Sequence, residues 1–259
     1  MRSLSILTLL FFVTTIASAS TPEERGLDIA KAVKAANIGW GDSQSELTMT
    51  LRTKKGQEVV RQMRSKSLEV DGDGDKGITI FDTPLDVKGT VFLSYSHITE
   101  ADDQWIYLPA LKRVKRIASK NKSGPFLSSE FAFEDLSSFE IEKNTYVYVK
   151  EEMLGELMMD VVEADPVDPY SGYKRFILWT DQEHHRVHKI DFYDRRDTLL
   201  KTLTVEDYKL YLDKYWRADR QTMINHKTGK STVIDVKNLE LGVGLDDKDF
   251  DQKRMQRVR

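Results

Sequence analysis

The sequence predicts a mainly β protein, an antiparallel sheet of many short strands preceded by one helix. Three observations carry that prediction. From residue 45 onward apolar residues repeatedly alternate with polar ones, the period of a half-buried strand. Clusters of turn-forming residues separate these segments at intervals too short for the helical crossover that parallel neighbours need. A single segment carries a convincing helix start.

Taken in order, residues 1–19 read as a secretory signal peptide. Arg2 supplies a basic start, 4–16 an apolar stretch, and Ala17-Ser18-Ala19 a small-residue cleavage site. A membrane anchor would need about 18–20 apolar residues, whereas Ser5, Thr8, Thr14 and Thr15 interrupt this stretch. Cleavage before Ser20 is the expectation, with residues 20–259 forming one domain in a bacterial periplasm. The net charge of −3 becomes −4 once Arg2 is removed, which gives no global drive toward nucleic acid. The absence of cysteine excludes disulfides, thiolate metal sites and a catalytic thiol.

The helix begins at Thr21-Pro22-Glu23-Glu24, where an N-cap threonine, a first-turn proline and a capping-box glutamate follow in order. It should stop between 37 and 41. The first strand shows Leu47, Met49 and Leu51 alternating with Glu46, Thr48, Thr50 and Arg52. Further strands are expected at 58–70, 77–81, 90–96, 104–108, 114–117, 139–149, 156–163, 175–180, 187–193, 200–205, 220–225 and 231–241. Turn signals such as Lys54-Lys55-Gly56 and His226-Lys227-Thr228-Gly229 lie between them.

Several of these strands are apolar on both faces, among them 90–93, 105–108 and 176–179. Such strands must be covered on two sides. A closed barrel or sandwich, whose second sheet provides the cover, is the simpler solution from periodicity; a ligand cavity is the other.

The familiar chemical motifs fail on inspection. Asp71-Gly72-Asp73-Gly74-Asp75 opens like a calcium loop, but Lys76 stands where the loop needs glycine and Asp82 where it needs glutamate, so a solvated hairpin turn is expected. His184, His185 and His188 lack zincin spacing and read as an exposed strand start. Gly41-Asp42-Ser43-Gln44-Ser45 lacks the last glycine of a nucleophile elbow. No catalytic residue, metal site or cofactor is predicted. One cluster does stand out: Lys112, Arg113, Lys115, Arg116, Lys120 and Lys122 fall within eleven residues. Behind an export signal their partners would be lipid headgroups or an acidic protein surface, unless they only solvate a strand edge.

A resemblance narrows this reading. The segments Asp86-Val87-Lys88-Gly89-Thr90, Asp103 through Ile117, and Ser123-Gly124-Pro125-Phe126 through Leu136 resemble the outer-membrane lipoprotein-sorting proteins of the LolA-like superfamily, in the longer branch associated with RND-type exporters. Trp179-Thr180-Asp181 and Tyr193 through Leu203 extend the likeness over the mature chain. The resemblance implies a strongly curved antiparallel sheet, an incomplete barrel, with an N-terminal helix and a lid of helices and loops over an apolar cavity. It implies a periplasmic carrier, not an enzyme, that shields acyl chains of a lipid or lipoprotein between inner and outer membrane. An RND-type inner-membrane exporter and, transiently, the membrane surface would be its partners. The alternative is an accessory module that docks on such an exporter without shuttling. Trp105, Tyr107, Phe131 and Phe133, in the most specific segments, are expected at the cavity together with the adaptable Met158. Lys112, Arg113, Lys115, Arg116 and Lys120 are expected to dock the partner or the headgroups.

Overall fold

The structure, a computed structural model, describes residues 20–257, so the expected leader over 1–19 lies outside the described residues. Helix α1 (Pro22–Ala35) starts as its sequence dictates: Thr21 Oγ1 accepts from the Glu24 amide at 3.1 Å, and the Thr21 amide donates to Glu24 Oε2 at 2.9 Å. The two bonds satisfy amides that the first turn leaves without helical partners.

Thirteen strands follow, one for each segment read from the alternation. They are β1 (Asp42–Arg52), β2 (Glu58–Leu68), β3 (Lys76–Thr83), β4 (Val91–Tyr95), β5 (Asp103–Leu108), β6 (Arg113–Ile117), β7 (Asn144–Leu154), β8 (Leu157–Pro166), β9 (Tyr173–Asp181), β10 (Val187–Asp194), β11 (Leu199–Tyr211), β12 (Tyr215–Asn225) and β13 (Ser231–Leu241). Several boundaries moved: β1 starts earlier than expected, and β7 and β11 run on to 154 and 211. The expected strand start at 139–143 is irregular backbone followed by a 3-10 turn (Ile141–Lys143), with Glu140 tied to Lys34 of α1. Strand β12 begins at Tyr215, earlier than expected, because it pairs with β11 out to its Tyr211.

All thirteen form one antiparallel sheet in the order β6-β5-β4-β3-β2-β1-β13-β12-β11-β10-β9-β8-β7. It is two meanders joined along β1 and β13, where Met49 stands opposite Ile234. The edge strands β6 and β7 do not pair, so the barrel stays open. A flat sheet would separate β4 from β9 by about 38 Å, eight spacings of about 4.8 Å. Yet Phe92 of β4 and Tyr173 of β9 belong to one apolar cluster, with Phe126 and Phe131 of the β6–β7 connection between them. The sheet is therefore strongly curled, and the connection plugs one half of its concave face. Arg61 Nη1 to the Leu127 carbonyl at 2.7 Å and Gln104 Nε2 to the Phe133 carbonyl at 2.9 Å fasten that plug.

Doubly apolar strands are covered by different elements on their two faces. On β3 to β5 the concave residues Phe81 and Phe92 meet the plug, while Ile78, Ile80, Val91 and Leu93 point outward under residues 245–255. Phe250 and Met255 are completely buried there, and Tyr95 Oη donates to the Phe250 carbonyl. On β8 and β9 the inward Val162, Ala164 and Leu178 pack with Ala30 of α1, and the outward Met159, Val161 and Trp179 form a cluster of their own.

Candidate functional site

Helix α1 can lie close on the sheet because Gly26 has no side chain: a Cβ there would sit 2.8 Å from the Tyr148 amide nitrogen and 2.9 Å from that of Val147. The helix roofs the half of the concave face that the plug leaves open. Beneath it lies a cavity of about 890 Å³, within the range of about 300–1,000 Å³ typical of small-molecule sites.

Its walls differ in chemistry. One side is apolar, with Ile29 and Val33 of α1 facing Val162, Leu178, Leu203 and Val205. The opposite side carries Ser43, Ser45, Ser67 and Ser94, which share one face by the register of β1 to β4. Ser94 Oγ is buried and bonds to nothing among the described residues. The rejected Gly41 to Ser45 motif is thus part of a strand wall. Its Asp42 accepts from the Val243 and Gly244 amides and activates no serine.

Charged side chains, Lys34, Asp75, Arg186 and Arg217, share the lining. Lys34 reaches Glu140 at 2.8 Å, and Glu140 is only 3% exposed, its other oxygen accepting from Ser138 Oγ. Arg186 Nε and His188 Nε2 lie 2.8 and 2.9 Å from Asp181 Oδ2. Burial would raise the Asp181 carboxyl, but these bonds and the His184 amide outweigh it and hold it below its usual range. Asp75 has no such partner set. Burial pushes its carboxyl up to about 6, although Lys34 pulls the other way. Tyr208 and Arg217 are also shifted by burial, the phenol upward and the guanidinium downward.

The residues that the resemblance suggested for the cavity lie elsewhere. Trp105 and Tyr107 are on the outer face of β5, packed under residues 245–255 with Trp105 edge-on to Tyr95. Phe131 and Phe133 belong to the aromatic plug beside the cavity. Met158, 42% exposed, sits near the tip of the β7–β8 hairpin. The outer position of Trp105 and Tyr107 follows from the cover that residues 245–255 supply. The histidines at 184 and 185, expected to be exposed, are half-buried in the β9–β10 turn and line the cavity, His184 against Trp216.

Lys112, Arg113, Lys115, Arg116 and Lys120 are all exposed along edge strand β6 and its flanks. Arg116 pairs with Asp103; the other four have no ion-pair partner among the described residues. Asp73, in the loop that resembles a calcium site, instead holds His97 at 2.7 Å, and among the described residues no group of acidic or histidine side chains is placed to hold a metal ion.

Residues 73–257 match the family model described as "Uncharacterized protein". No curated protein matches the chain. Among solved structures, a Vibrio parahaemolyticus domain named for outer-membrane lipoprotein sorting is 54% identical, with a TM-score of 0.89 over 91% of this chain and 100% of that one. A DUF1329 family protein from Desulfovibrio piger is 28% identical, with a TM-score of 0.86 over 91% and 100%. A LolA superfamily protein from Nitrosomonas europaea, 21% identical, shares the fold with a TM-score of 0.70 over 91% and 99%. With this identity, the chain belongs to the family of that outer-membrane lipoprotein-sorting domain, and it shares the fold of the LolA superfamily protein.

Proposed function

We propose that this protein is a periplasmic carrier that shelters acyl chains of a lipid or lipoprotein between inner and outer membrane. The observation that carries the reading is the cavity of about 890 Å³ between α1 and the concave face, apolar along one whole wall. Each methylene moved from water into such a wall contributes about 0.8 kcal/mol, so ten contribute about 8 kcal/mol before the costs of ordering and opening. The carrier needs no nucleotide of its own. Net direction comes from a loading partner and an acceptor with different affinities.

An RND-type exporter is the proposed loading partner, approached through Lys112, Arg113, Lys115 and Lys120, which are exposed and have no ion-pair partner among the described residues. Leu136 of the plug lines the cavity and packs with Phe131 and Phe133 of the same connection, so movement of the plug would lengthen the space available to a chain.

Native mass spectrometry of protein purified from periplasm without detergent tests the reading. The carrier is expected to release bound lipid on activation. Protein that is empty, takes up no fluorescent fatty acid and still binds an exporter would overturn it in favour of the non-shuttling module.

A further inference from the structure

Among the residues that line the cavity is an arginine with no ion-pair partner among the described residues. Arg217 is half-buried and lines the cavity. Arg175 is neutralised by Glu163 and Asp197 and Arg186 by Asp181, while buried Arg61 gives its Nη1 to the Leu127 carbonyl under the plug. Arg217, which faces the cavity, has no ion pair among the described residues. Its Nη1 makes both of its hydrogen bonds, to Asn37 Oδ1 and to the Trp216 carbonyl, each at 2.9 Å. Those bonds fix the plane of the guanidinium, and the rings of Trp40 and Tyr215, with centroids 5.9 and 5.6 Å from Cζ, flank it. Nε and Nη2 donate to nothing among the described residues and remain as a fork suited to two oxygens.

The nearby acids do not fill that role. Glu69 spends its two oxygens on the Gly39 and Gly41 amides, at 2.6 and 2.8 Å. Asp75 forms no hydrogen bond or ion pair with Arg217 and acts on it, as Glu69 does, only by longer-range attraction. Lys214 adds a second cation to the lining, its Nζ 3.5 Å from the Ile38 carbonyl and 4.8 Å from the centre of the Tyr215 ring.

We propose that Arg217 receives the oxyanion of a single anionic amphiphile, a carboxylate or phosphate monoester, whose chain runs inward along the α1 wall. The inference rests on the carrier reading and narrows it. An acyl chain held in amide or ester linkage on a protein brings no such anion, so the site favours a free anionic lipid as cargo. A charge-assisted fork also explains why a protein would keep an arginine in a place where burial disfavours its charge.

Competition against a fluorescent fatty acid tests this, with dodecanoate, dodecyl phosphate and dodecanol as competitors of equal chain length. Wild type, Arg217→Gln and Arg217→Lys are compared at pH 7.5 and low salt, with melting temperatures recorded. Wild type is expected to bind at least one of the two anions about tenfold or more tightly than the alcohol, and the anion preferred identifies the headgroup class. Arg217→Gln should bring all three ligands to similar affinity without weakening dodecanol, and Arg217→Lys should restore part of the preference. If wild type binds dodecanol as tightly as both anions, or if Arg217→Gln keeps the preference, the headgroup assignment is overturned while the carrier reading stands. If none of the three ligands binds, both are overturned. The wild-type comparison decides even where a variant folds poorly.

Discussion

Lys201 and Asp135 form an ion pair that is almost fully withdrawn from water: Nζ lies 2.5 Å from Oδ2, and the side chains are 4% and 5% exposed. Lys201 stands on β11 and Asp135 in the plug, so the pair fastens the plug to the sheet. The same ammonium donates to the Glu130 carbonyl at 3.1 Å, and Tyr173 Oη donates to Asp135 Oδ1 at 2.8 Å. Removing one partner strands the other charge. Lys201→Met should therefore lower unfolding free energy by about 3–5 kcal/mol, and Lys201→Met with Asp135→Leu should recover much of the loss. Urea titration of the three proteins checks this; equal stability of the two variants would contradict it.

The positions of Trp105 and Val33 separate stability from binding. Trp105→Ala empties packing under residues 245–255 on the outer face, and should cost about 2–3 kcal/mol for a half-buried ring while leaving fatty-acid affinity within about twofold. Val33→Gln keeps a good helix former on α1 but places an amide in the apolar wall. Its melting temperature should change little, and its affinity should fall by about tenfold or more. A binding loss confined to the Trp105 variant would refute the assignment of the cavity.

Asp75 gives the protein a pH response of known sign. Its folded pKa of about 6 lies above the unfolded value near 3.9. Its contribution to stability is therefore full below about pH 4 and lost as pH rises through 6. Asp75→Asn should be more stable than wild type at pH 7.5, by an order of 1–3 kcal/mol. The gap should close on acidification to pH 4. Unfolding titrations at four pH values test this, and a gap independent of pH would rule it out.

The basic edge should govern encounter and leave folding untouched. Reversing Lys112, Lys115 and Lys120 to Glu removes exposed charges that have no ion-pair partner among the described residues, so the melting temperature should move by no more than about 1–2 °C. Stopped-flow association with vesicles rich in anionic lipid should slow markedly, and raising salt should slow wild type toward the variant. If the triple variant associates like wild type at low ionic strength, β6 is only a solvated edge.

How much of this was legible depended on whether the cause lay near in sequence. Alternation such as Leu47, Met49, Leu51 places a strand by itself, and the reciprocal needs of Thr21 and Glu24 place a helix start. The face that Trp105 shows to the core depends instead on residues 245–255. There Asp246, Asp247 and Lys248 surround Phe250, so the sequence reads as polar and conceals an outer cover. The site around Arg217 was missed for a similar reason. Trp40 precedes β1 whereas Trp216 and Arg217 open β12, and they meet because only β13 lies between those two strands in the sheet. The signal that could have been followed is the Tyr215-Trp216-Arg217 triplet, two aromatic residues beside an arginine at the start of a strand.

The seam between β1 and β13 bears on how the molecule comes into being. Each meander is made of hairpins, whose contacts are close along the chain and quick to form, whereas Met49 must find Ile234 from the far half of the sequence. The two halves should therefore become structured first and be zipped together afterward, with the plug swallowed last. The same geometry makes the protein divisible: a nick at exposed Lys120 would leave two fragments, each carrying one side of the seam. Such fragments are expected to reassociate when mixed, which would make the pair a split reporter of export into a common compartment.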